Sequence, residues 1–290
     1  MVKRKGKMIC QRYPFVSVII PSYNRGWILK EAIDSVLVQD YKHFELIIID
    51  DGSTDNTQDI LKTTYGGQIK TITQSNKGVS AARNAGIASS TGSLIAFLDS
   101  DDLWLPKKLS RQVEFFISTP DAVICQTEEI WIRNGKRVNP KIKHKKISGD
   151  IFEPSLSLCL ISPSAVMIKK SLFDDVGIFD EELFACEDYD LWLRISYKHR
   201  VELIDISLVV KRGGHNDQIS KMPGLDKYRI KALKKIIDGK SLSKKQEKNA
   251  VKILKEKCLI YAGGCKKRNR TKEAEFYTDL ANRVNFLIQH

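Results

Sequence analysis

The amino-acid sequence predicts an α/β fold in which a mostly parallel central sheet is flanked by helices, followed by a helical C-terminal extension. Three observations support this prediction. Short apolar runs alternate with segments of helical periodicity over the first third of the chain. Polar clusters stand where the predicted strands end, and beyond residue 225 the pattern is helical with lysine-rich outer faces. The chain of 290 residues, 42% of them hydrophobic, suffices for one large domain with an appendage or for two domains.

Four strands and three helices are predicted before residue 100. Residues 15–20 (FVSVII) and 44–49 (FELIII) are rich in apolar and β-branched side chains, which is typical of strands buried on both faces of a parallel sheet. Shorter runs of the same kind predict two further strands, and apolar residues at helical spacing separate the four. These elements are the strands 69–73 and 94–98 and the helices 28–39, 54–65 and 79–89.

The pattern is looser after Pro106. We expect helices at 108–117 and 188–197 and strands at 123–132, 162–168 and 203–210. Residues 133–146 contain seven lysines and arginines and no acid, with the hairpin-turn dipeptide Asn134-Gly135. Three helices are predicted for the extension, at 225–237, 243–262 and 271–287, and we expect Gly263-Gly264 to end the middle one.

The net charge of +13 is concentrated at the two ends of the chain. We therefore divide the sequence into a basic N-terminal arm (1–13), an α/β domain (14–220) and a basic helical extension (221–290). Basic ends on a slightly acidic body favour an anionic membrane surface as partner. A solvated helical face is an equally good interpretation, and the helices are also candidates for homodimer pairing. Nucleic acid is not expected, because aromatic residues are few and not interleaved with the charge.

Cysteine usage and hydropathy indicate the compartment. The six cysteines include no Cys-x-x-Cys pair, which favours a reduced setting over a disulfide scaffold or a zinc ribbon. A membrane-spanning helix needs about 20 apolar residues, and the sequence has no such run. We expect a cytoplasmic protein, with peripheral attachment to the inner face of the cytoplasmic membrane as an option.

Three polar clusters follow predicted strands, at residues 21–24, 50–53 and 99–102. Ligands of parallel sheets bind at the carboxyl ends of the strands. In the last cluster Asp99, Asp101 and Asp102 repel one another, which predicts a cation such as Mg²⁺ or Mn²⁺. A solvated acidic turn is the alternative. A phosphatase Asp-x-Asp nucleophile fits poorly, because it normally stands on the first strand.

The other clusters point to a nucleotide. A carboxylate in the run 50–53 can accept hydrogen bonds from a nucleoside, although Asp-Gly is also ordinary turn chemistry. Neither the dinucleotide-binding Gly-x-Gly-x-x-Gly nor a P-loop occurs at the first strand, which disfavours NAD enzymes and P-loop NTPases. A nucleotidyltransferase would need a Gly-rich loop with Arg and Lys there, and residues 22–24 (SYN) do not supply it.

Five ordered blocks resemble family 2 of the glycosyltransferases, inverting nucleotide-sugar transferases of the GT-A fold. The resemblance covers roughly residues 14–220. The blocks are residues 16–24 (VSVIIPSYN), 45–55 (ELIIIDDGSTD), 76–86 (NKGVSAARNAG), 98–102 (LDSDD) and 187–188 (ED).

The resemblance implies roles by position. Asp188 would be the general base, paired with Glu187, and the apolar run after it predicts a half-buried setting. His215 would complete the metal site, with an ordinary loop histidine as the alternative. The implied ligands of Mn²⁺ or Mg²⁺ are Asp99, Asp101, Asp102 and His215. The implied nucleotide-binding residues are Pro21, Ser22, Tyr23, Asn24, Asp50, Asp51, Lys77, Arg83, Asp99 and Ser100. For Arg83 a helix-surface salt bridge is the alternative.

The implied reaction moves a sugar from a nucleotide-diphosphate donor, expected to be a UDP-sugar, to a hydroxyl of a glycan or lipid-linked acceptor. GDP and dTDP remain alternatives. Trp192 lies either in the core or beneath the acceptor, and Lys143 and Lys145 are candidates for contacting an anionic acceptor. A non-catalytic nucleotide- or glycan-binding domain of the same fold is the main alternative function.

Overall fold

The computed structural model describes residues 13–215 and 218–284. Nine strands in these ranges form one sheet with the order β3-β2-β1-β4-β8-β6-β9-β5, and β7 pairs with β6 alone. The strands are β1 Val16–Ser22, β2 Phe44–Asp50, β3 Lys70–Thr73, β4 Leu94–Phe97, β5 Leu103–Trp104, β6 Ile124–Arg133, β7 Lys136–Val138, β8 Val166–Lys169 and β9 Glu202–Gly213. Residues 1–12 of the predicted basic arm and residues 285–287 of the last predicted helix lie outside the described ranges.

Ten α-helices flank this sheet or follow it within the described ranges. They are α1 Leu29–Leu37, α2 Thr57–Tyr65, α3 Val79–Ser89, α4 Lys108–Ser118, α5 Phe152–Ser157, α6 Leu172–Val176, α7 Glu187–Ser196, α8 Asp226–Asp238, α9 Lys244–Lys267 and α10 Thr271–Arg283. Single turns of 3-10 helix occur at Ile142–His144, Pro163–Ala165 and Ile219–Lys221. The predicted strand at 162–168 is therefore in part a 3-10 turn, and β5 is a strand that the sequence did not predict.

The parallel half of the sheet confirms the sequence prediction. β1 pairs in parallel with β2 and β4, and β2 pairs in parallel with β3. Successive residues of β1 enter different cores: Val18 and Ile20 pack on one face, and Ile19 packs on the other. Alternation of this kind occurs when helices cover both faces of a sheet, and it explains the nearly continuous apolar run. The antiparallel β8 then joins this half to β6 and β9.

The C-terminal helices share a core with the sheet domain. Leu233 of α8 and Leu254 of α9 are buried in one cluster with Tyr189 and Leu193 of α7 and Phe152 of α5. The extension thus supports α7, the helix that begins with the Glu-Asp pair. No helix among the described residues is long and apolar enough to cross a membrane.

The predicted helix end at Gly263-Gly264 is wrong, because α9 continues through both glycines to Lys267. Neither glycine adopts the positive φ that a glycine C-cap requires. Cys265 follows directly and is fully buried in the core with Tyr261 and Ala262. Burial of this last turn outweighs the low helix propensity of the two glycines.

Candidate active site

The carboxyl ends of β1, β2 and β4 meet at one edge of the sheet, and the three predicted polar clusters lie there. Asp50 ends β2, and its register partner Ser22 ends β1. Asp99 follows β4 by two residues, and its backbone N–H donates to the Ser164 hydroxyl at 3.1 Å. Parallel pairing therefore brings together clusters that are far apart in the sequence.

The loop after β1 is fastened to the loop after β2. The Asn24 side chain accepts a hydrogen bond from the Thr54 backbone N–H at 2.7 Å, and the Asn24 backbone N–H donates to the Ser53 hydroxyl at 2.8 Å. Asn24 has φ of +52°, a conformation that asparagine tolerates better than most residues. Pro21 and Ser22 are buried in β1, whereas the Tyr23 ring is 45% exposed beside them.

Asp50 and Asp51 organise the neighbouring loops. Asp51 accepts hydrogen bonds from the backbone N–H groups of Lys77 at 2.9 Å and Gly78 at 2.8 Å, while the Lys77 side chain is exposed. Asp50 accepts from the Ser53 N–H at 3.1 Å and from the Gln58 amide at 2.8 Å. Both carboxylates are therefore held rigidly by the protein itself.

Arg83 links the acidic cluster to α7. Its Nη1 donates to Glu187 Oε1 at 2.6 Å and its Nη2 to Asp99 Oδ1 at 2.8 Å. The guanidinium is 4% exposed, and the Phe179 ring lies 5.2 Å from it. Two carboxylate partners raise the Arg83 pKa further above its usual value, so the group is a fixed cation.

The acidic cluster carries an excess of negative charge. Asp102 is buried and accepts hydrogen bonds from the Arg212 N–H at 2.8 Å and the Ser164 hydroxyl at 2.7 Å. Burial, together with the neighbouring carboxylates, raises the pKa values of Asp102 and Asp101. A divalent cation would relieve this repulsion, so the donor set fits Mg²⁺ or Mn²⁺.

The described residues do not by themselves form a full coordination shell. No group of three or more His, Cys, Asp or Glu side chains in residues 13–215 and 218–284 is arranged to hold a metal. The half-buried Asp101 is more accessible than Asp102, whose two oxygens each already accept a hydrogen bond. Such a site suits a metal that takes its remaining oxygens from the phosphates of a bound ligand.

His215 lies near this cluster at the end of β9. Its ring makes an edge contact with the Trp27 ring at 5.0 Å. The ring Nε2 is buried and has no hydrogen-bond partner within the described part of the chain. The histidine is thus near the acidic cluster, and the two residues after it lie outside the described ranges.

α7 presents Glu187 and Asp188 at its first turn. Cys186, immediately before it, has φ of +60°. The half-buried Asp188 accepts hydrogen bonds from the Tyr189 N–H at 2.7 Å and from the Cys159 thiol at 3.6 Å. Burial raises the pKa of Glu187 to about 7, against the opposing effect of Arg83.

The three candidate acceptor residues lie in different surroundings. Trp192 is 1% exposed and packs in the core against Phe179, which agrees with the core interpretation. Lys143, within the 3-10 turn Ile142–His144, and Lys145, directly after it, are exposed and do not line the cavity described next. Lys146 instead is buried, 3.2 Å from the Glu129 carboxylate.

A cavity of about 510 Å³ lies between β6, the loop 158–162 and the end of β9. The sequence analysis missed the half-buried Lys211 in its wall, whose ammonium donates to the Ser162 hydroxyl at 3.1 Å. Glu129, Asp102, Asp99 and Asp188 raise the Lys211 pKa above its usual value. No local motif marks this lysine, and the only available signal was a charged residue inside an apolar strand.

The sheet order, with carboxylates after β2 and β4 and a Glu-Asp pair at α7, defines a GT-A protein. The family model described as "Glycosyl transferase family 2" matches residues 17–177. The chain belongs to this family. Arg83, Asp99, Asp101 and Asp102 fall inside the match, and Glu187 and Asp188 lie ten residues or more beyond its end.

Two relatives illustrate the similarity. The chain is 37% identical to an uncharacterized glycosyltransferase of Rickettsia felis over 229 residues, which are 76% of this chain and 38% of that protein. It is 32% identical over 198 residues to the Escherichia coli UDP-Glc:alpha-D-GlcNAc-diphosphoundecaprenol beta-1,3-glucosyltransferase WfgD, covering 68% of this chain and 76% of the relative. The chain thus spans less than half the length of the Rickettsia relative.

Solved structures show the same fold. The Staphylococcus aureus TarS fragment 1–349, determined in complex with UDP-GlcNAc, superposes with a TM-score of 0.66 at 22% identity. The match covers 84% of this chain and 71% of the TarS fragment. The likeness confirms the GT-A architecture that the sequence predicts.

Proposed function

We propose that this protein is an inverting glycosyltransferase, which moves a sugar from a nucleotide-diphosphate donor to a hydroxyl of a glycan or lipid-linked acceptor. The observation that carries the proposal is the buried bridge from Asp99 through Arg83 to Glu187. It ties the acidic cluster after β4 to the start of α7, so that a candidate metal site and a candidate base are held at one edge of the sheet.

The donor would lie across the ends of β1, β2 and β4. Pro21, Tyr23 and Asp51 lie at this edge. A nucleoside would stack on the exposed Tyr23 ring and approach the buried Asp51 carboxylate, which the backbone N–H groups of Lys77 and Gly78 hold in place. Asp99 and Asp101 would hold Mg²⁺ or Mn²⁺, with Asp102 and His215 beside them. The metal, when bound, would neutralise the diphosphate and stabilise it as a leaving group.

Asp188 would act as general base. One of its carboxylate oxygens takes the proton from the acceptor hydroxyl while that hydroxyl oxygen forms a bond to the anomeric carbon. The bond from that carbon to the diphosphate oxygen breaks on the opposite face, and the configuration inverts. A single base suffices, because the nucleoside diphosphate leaves as an anion and needs no proton.

The comparisons favour a UDP-sugar. WfgD is named for UDP-Glc and a diphosphoundecaprenol-linked sugar, and TarS was determined with UDP-GlcNAc. By analogy we propose a role in building an envelope polysaccharide. GDP-sugars and dTDP-sugars remain alternative donors.

Calorimetry tests the donor site. UDP is titrated into the full chain with Mn²⁺ and again with EDTA, and we expect binding that requires the metal. Metal-independent binding would give the acidic cluster a structural role, and GDP and dTDP are the next ligands if UDP fails. If none of the three binds, the protein is not a nucleotide-sugar transferase. Binding of UDP without transfer to any acceptor would favour the non-catalytic alternative.

We further propose that residues 14–220 carry the catalytic unit and that the extension 221–290 contacts an anionic membrane surface. On α9, Leu259 and Ile260 are 47% and 64% exposed, and the lysines Lys248, Lys252 and Lys266 on the same helix are exposed as well. A basic helix with exposed apolar residues suits the interface of an anionic bilayer. Flotation with phosphatidylglycerol vesicles should carry the protein, whereas phosphatidylcholine vesicles should not.

A further inference from the structure

The cavity described above adjoins the candidate active site, and none of the sequence motifs indicates what it binds. Its wall is formed by one face of β6, by the loop 158–162 and by the residues that end β9. Cys159 lines it and also donates its thiol hydrogen to Asp188. Arg212 lines it too, and its backbone N–H donates to Asp102. The cavity therefore adjoins both the candidate base and the acidic cluster.

The cavity wall is strongly basic. Among the described residues that line it, Glu129 is the only acid, whereas five lysines and arginines and one histidine contribute to the wall. Lys146 lies 3.2 Å from Glu129, and the Arg212 side chain is paired at 2.6 Å with Glu31, which is not part of the wall. The remaining basic residues are Arg133, His144, Lys211 and Lys221.

His144 lies near several cations. Partial burial lowers the His144 pKa, and the charges of Lys143, Lys211 and Lys141 lower it further. Of these three lysines, Lys211 is the one that lines the cavity. Clustered cations of this kind attract an anion.

We propose that this cavity is the acceptor site and that it binds a phosphate of the acceptor, next to the hydroxyl that receives the sugar. This inference rests on the proposed glycosyl transfer, because a second substrate must approach Asp188 from the side not taken by the donor. A diphosphate at the end of a lipid-linked sugar and a phosphodiester in a polyol phosphate chain share this chemistry. The side chains that would bind the phosphate are the half-buried Lys211 and the exposed Arg133, both in the cavity wall.

The same hairpin provides a matched control for Arg133. Arg133 lines the cavity together with Trp131 and Ile132. On β7, Arg137 pairs with Ile132. Both arginines are exposed, and Arg137 does not line the cavity. Arg133→Gln and Arg137→Gln remove the same charge from the same hairpin.

The test titrates acceptor fragments into the full chain after saturation with UDP and Mn²⁺, so that the donor site cannot bind them. The probes are geranyl diphosphate, glycerophosphoglycerol, glucuronic acid and the neutral octyl glucoside. We expect one of the two phosphate probes to bind, Arg133→Gln to weaken it at least about fivefold, and Arg137→Gln to leave it within about twofold. Preference for geranyl diphosphate identifies a lipid-diphosphate acceptor, and preference for glycerophosphoglycerol a polyol phosphate.

Three results would overturn the inference. The first is that octyl glucoside binds as tightly as the phosphate probes. The second is that glucuronic acid binds more tightly than either phosphate probe. The third is that Arg133→Gln and Arg137→Gln weaken phosphate-probe binding by the same factor. Absence of binding by both phosphate probes would also overturn it, provided that wild-type protein has bound UDP in the same experiment. Failure of that UDP step instead counts against the proposed function, so the two failures are distinguishable.

Discussion

Arg83 and Glu187 form a buried ion pair across 104 residues of sequence, with Nη1 2.6 Å from Oε1. The same guanidinium reaches Asp99 with its other nitrogen, so one side chain fixes α3, α7 and the loop after β4 relative to one another. Only the planar, forked donor group of arginine can serve two carboxylates in this way. The pair therefore connects the stability of the fold to the geometry of the candidate site.

Replacement of Arg83 should destabilise the protein. Arg83→Gln leaves the buried Glu187 without its cation, and we expect a loss of about 3 kcal/mol in the free energy of unfolding. Arg83→Lys keeps the charge but cannot bridge both carboxylates, so its loss should be smaller. Urea denaturation measures both variants. The surface pair Arg111–Glu114 provides the control, since Arg111→Gln should cost under about 1 kcal/mol.

Glu187 should make stability depend on pH. Its pKa in the folded chain is about 7, above the value of about 4.5 for an exposed glutamate, so the folded state holds the proton more tightly. The stabilising effect is complete below pH 4.5 or so and is lost as the pH rises through about 7. Relative to Glu187→Gln, the wild type should lose about 2 to 3 kcal/mol between pH 5 and 8. If the difference in unfolding free energy between the wild type and Glu187→Gln did not change with pH, the raised Glu187 pKa would be wrong. The exposed Glu182→Gln is the control.

Asp188→Asn should abolish most transfer while the donor still binds. Loss of a general base lowers turnover by about 10² to 10⁴, because the acceptor hydroxyl keeps its proton. UDP-sugars are first screened with the wild type for transfer. Single-turnover transfer from the active UDP-sugar then gives the rate, and calorimetry gives UDP affinity. Asp174→Asn on the neighbouring exposed surface should retain full turnover. An active Asp188→Asn variant would exclude Asp188 as the base.

Asp101→Asn should weaken the metal-dependent part of donor binding. Removing one carboxylate from the cluster takes away a hard oxygen ligand, and we expect UDP affinity in Mn²⁺ to fall about tenfold or more. The comparison is with Asp121→Asn, which changes the same charge at an exposed position. Equal UDP affinity of the two variants in Mn²⁺ would remove Asp101 from the proposed metal site.

Two helical glycines should respond oppositely to alanine. A Cβ at Gly86 would lie 2.4 Å from Ile19 Cγ2, so Gly86→Ala should destabilise the protein by about 1 to 3 kcal/mol. A Cβ at Gly263 meets nothing within 4 Å, so Gly263→Ala should stabilise α9 by about 0.5 to 1 kcal/mol. Thermal unfolding of the two variants checks both signs. A destabilised Gly263→Ala would contradict the helical continuation through that residue.

Much of the candidate site followed from local sequence. Apolar runs that end in polar residues predicted the strands β1, β2 and β4 and the clusters at their ends, since parallel strands place their carboxyl ends at one edge. The short strand β5 was not predictable in this way. Leu103 and Trp104 become a strand only because β9 pairs with them from more than a hundred residues away.

The sequence by itself determined the fold class, the family and the order of the acidic clusters, because periodicity and motifs depend on neighbouring residues. The tertiary structure alone decided how the charges are partnered. It buried Arg83 between Asp99 and Glu187, placed Lys211 in the wall of a cavity and kept α9 helical through Gly263. These outcomes depend on desolvation and on contacts between distant segments, and no local pattern records either.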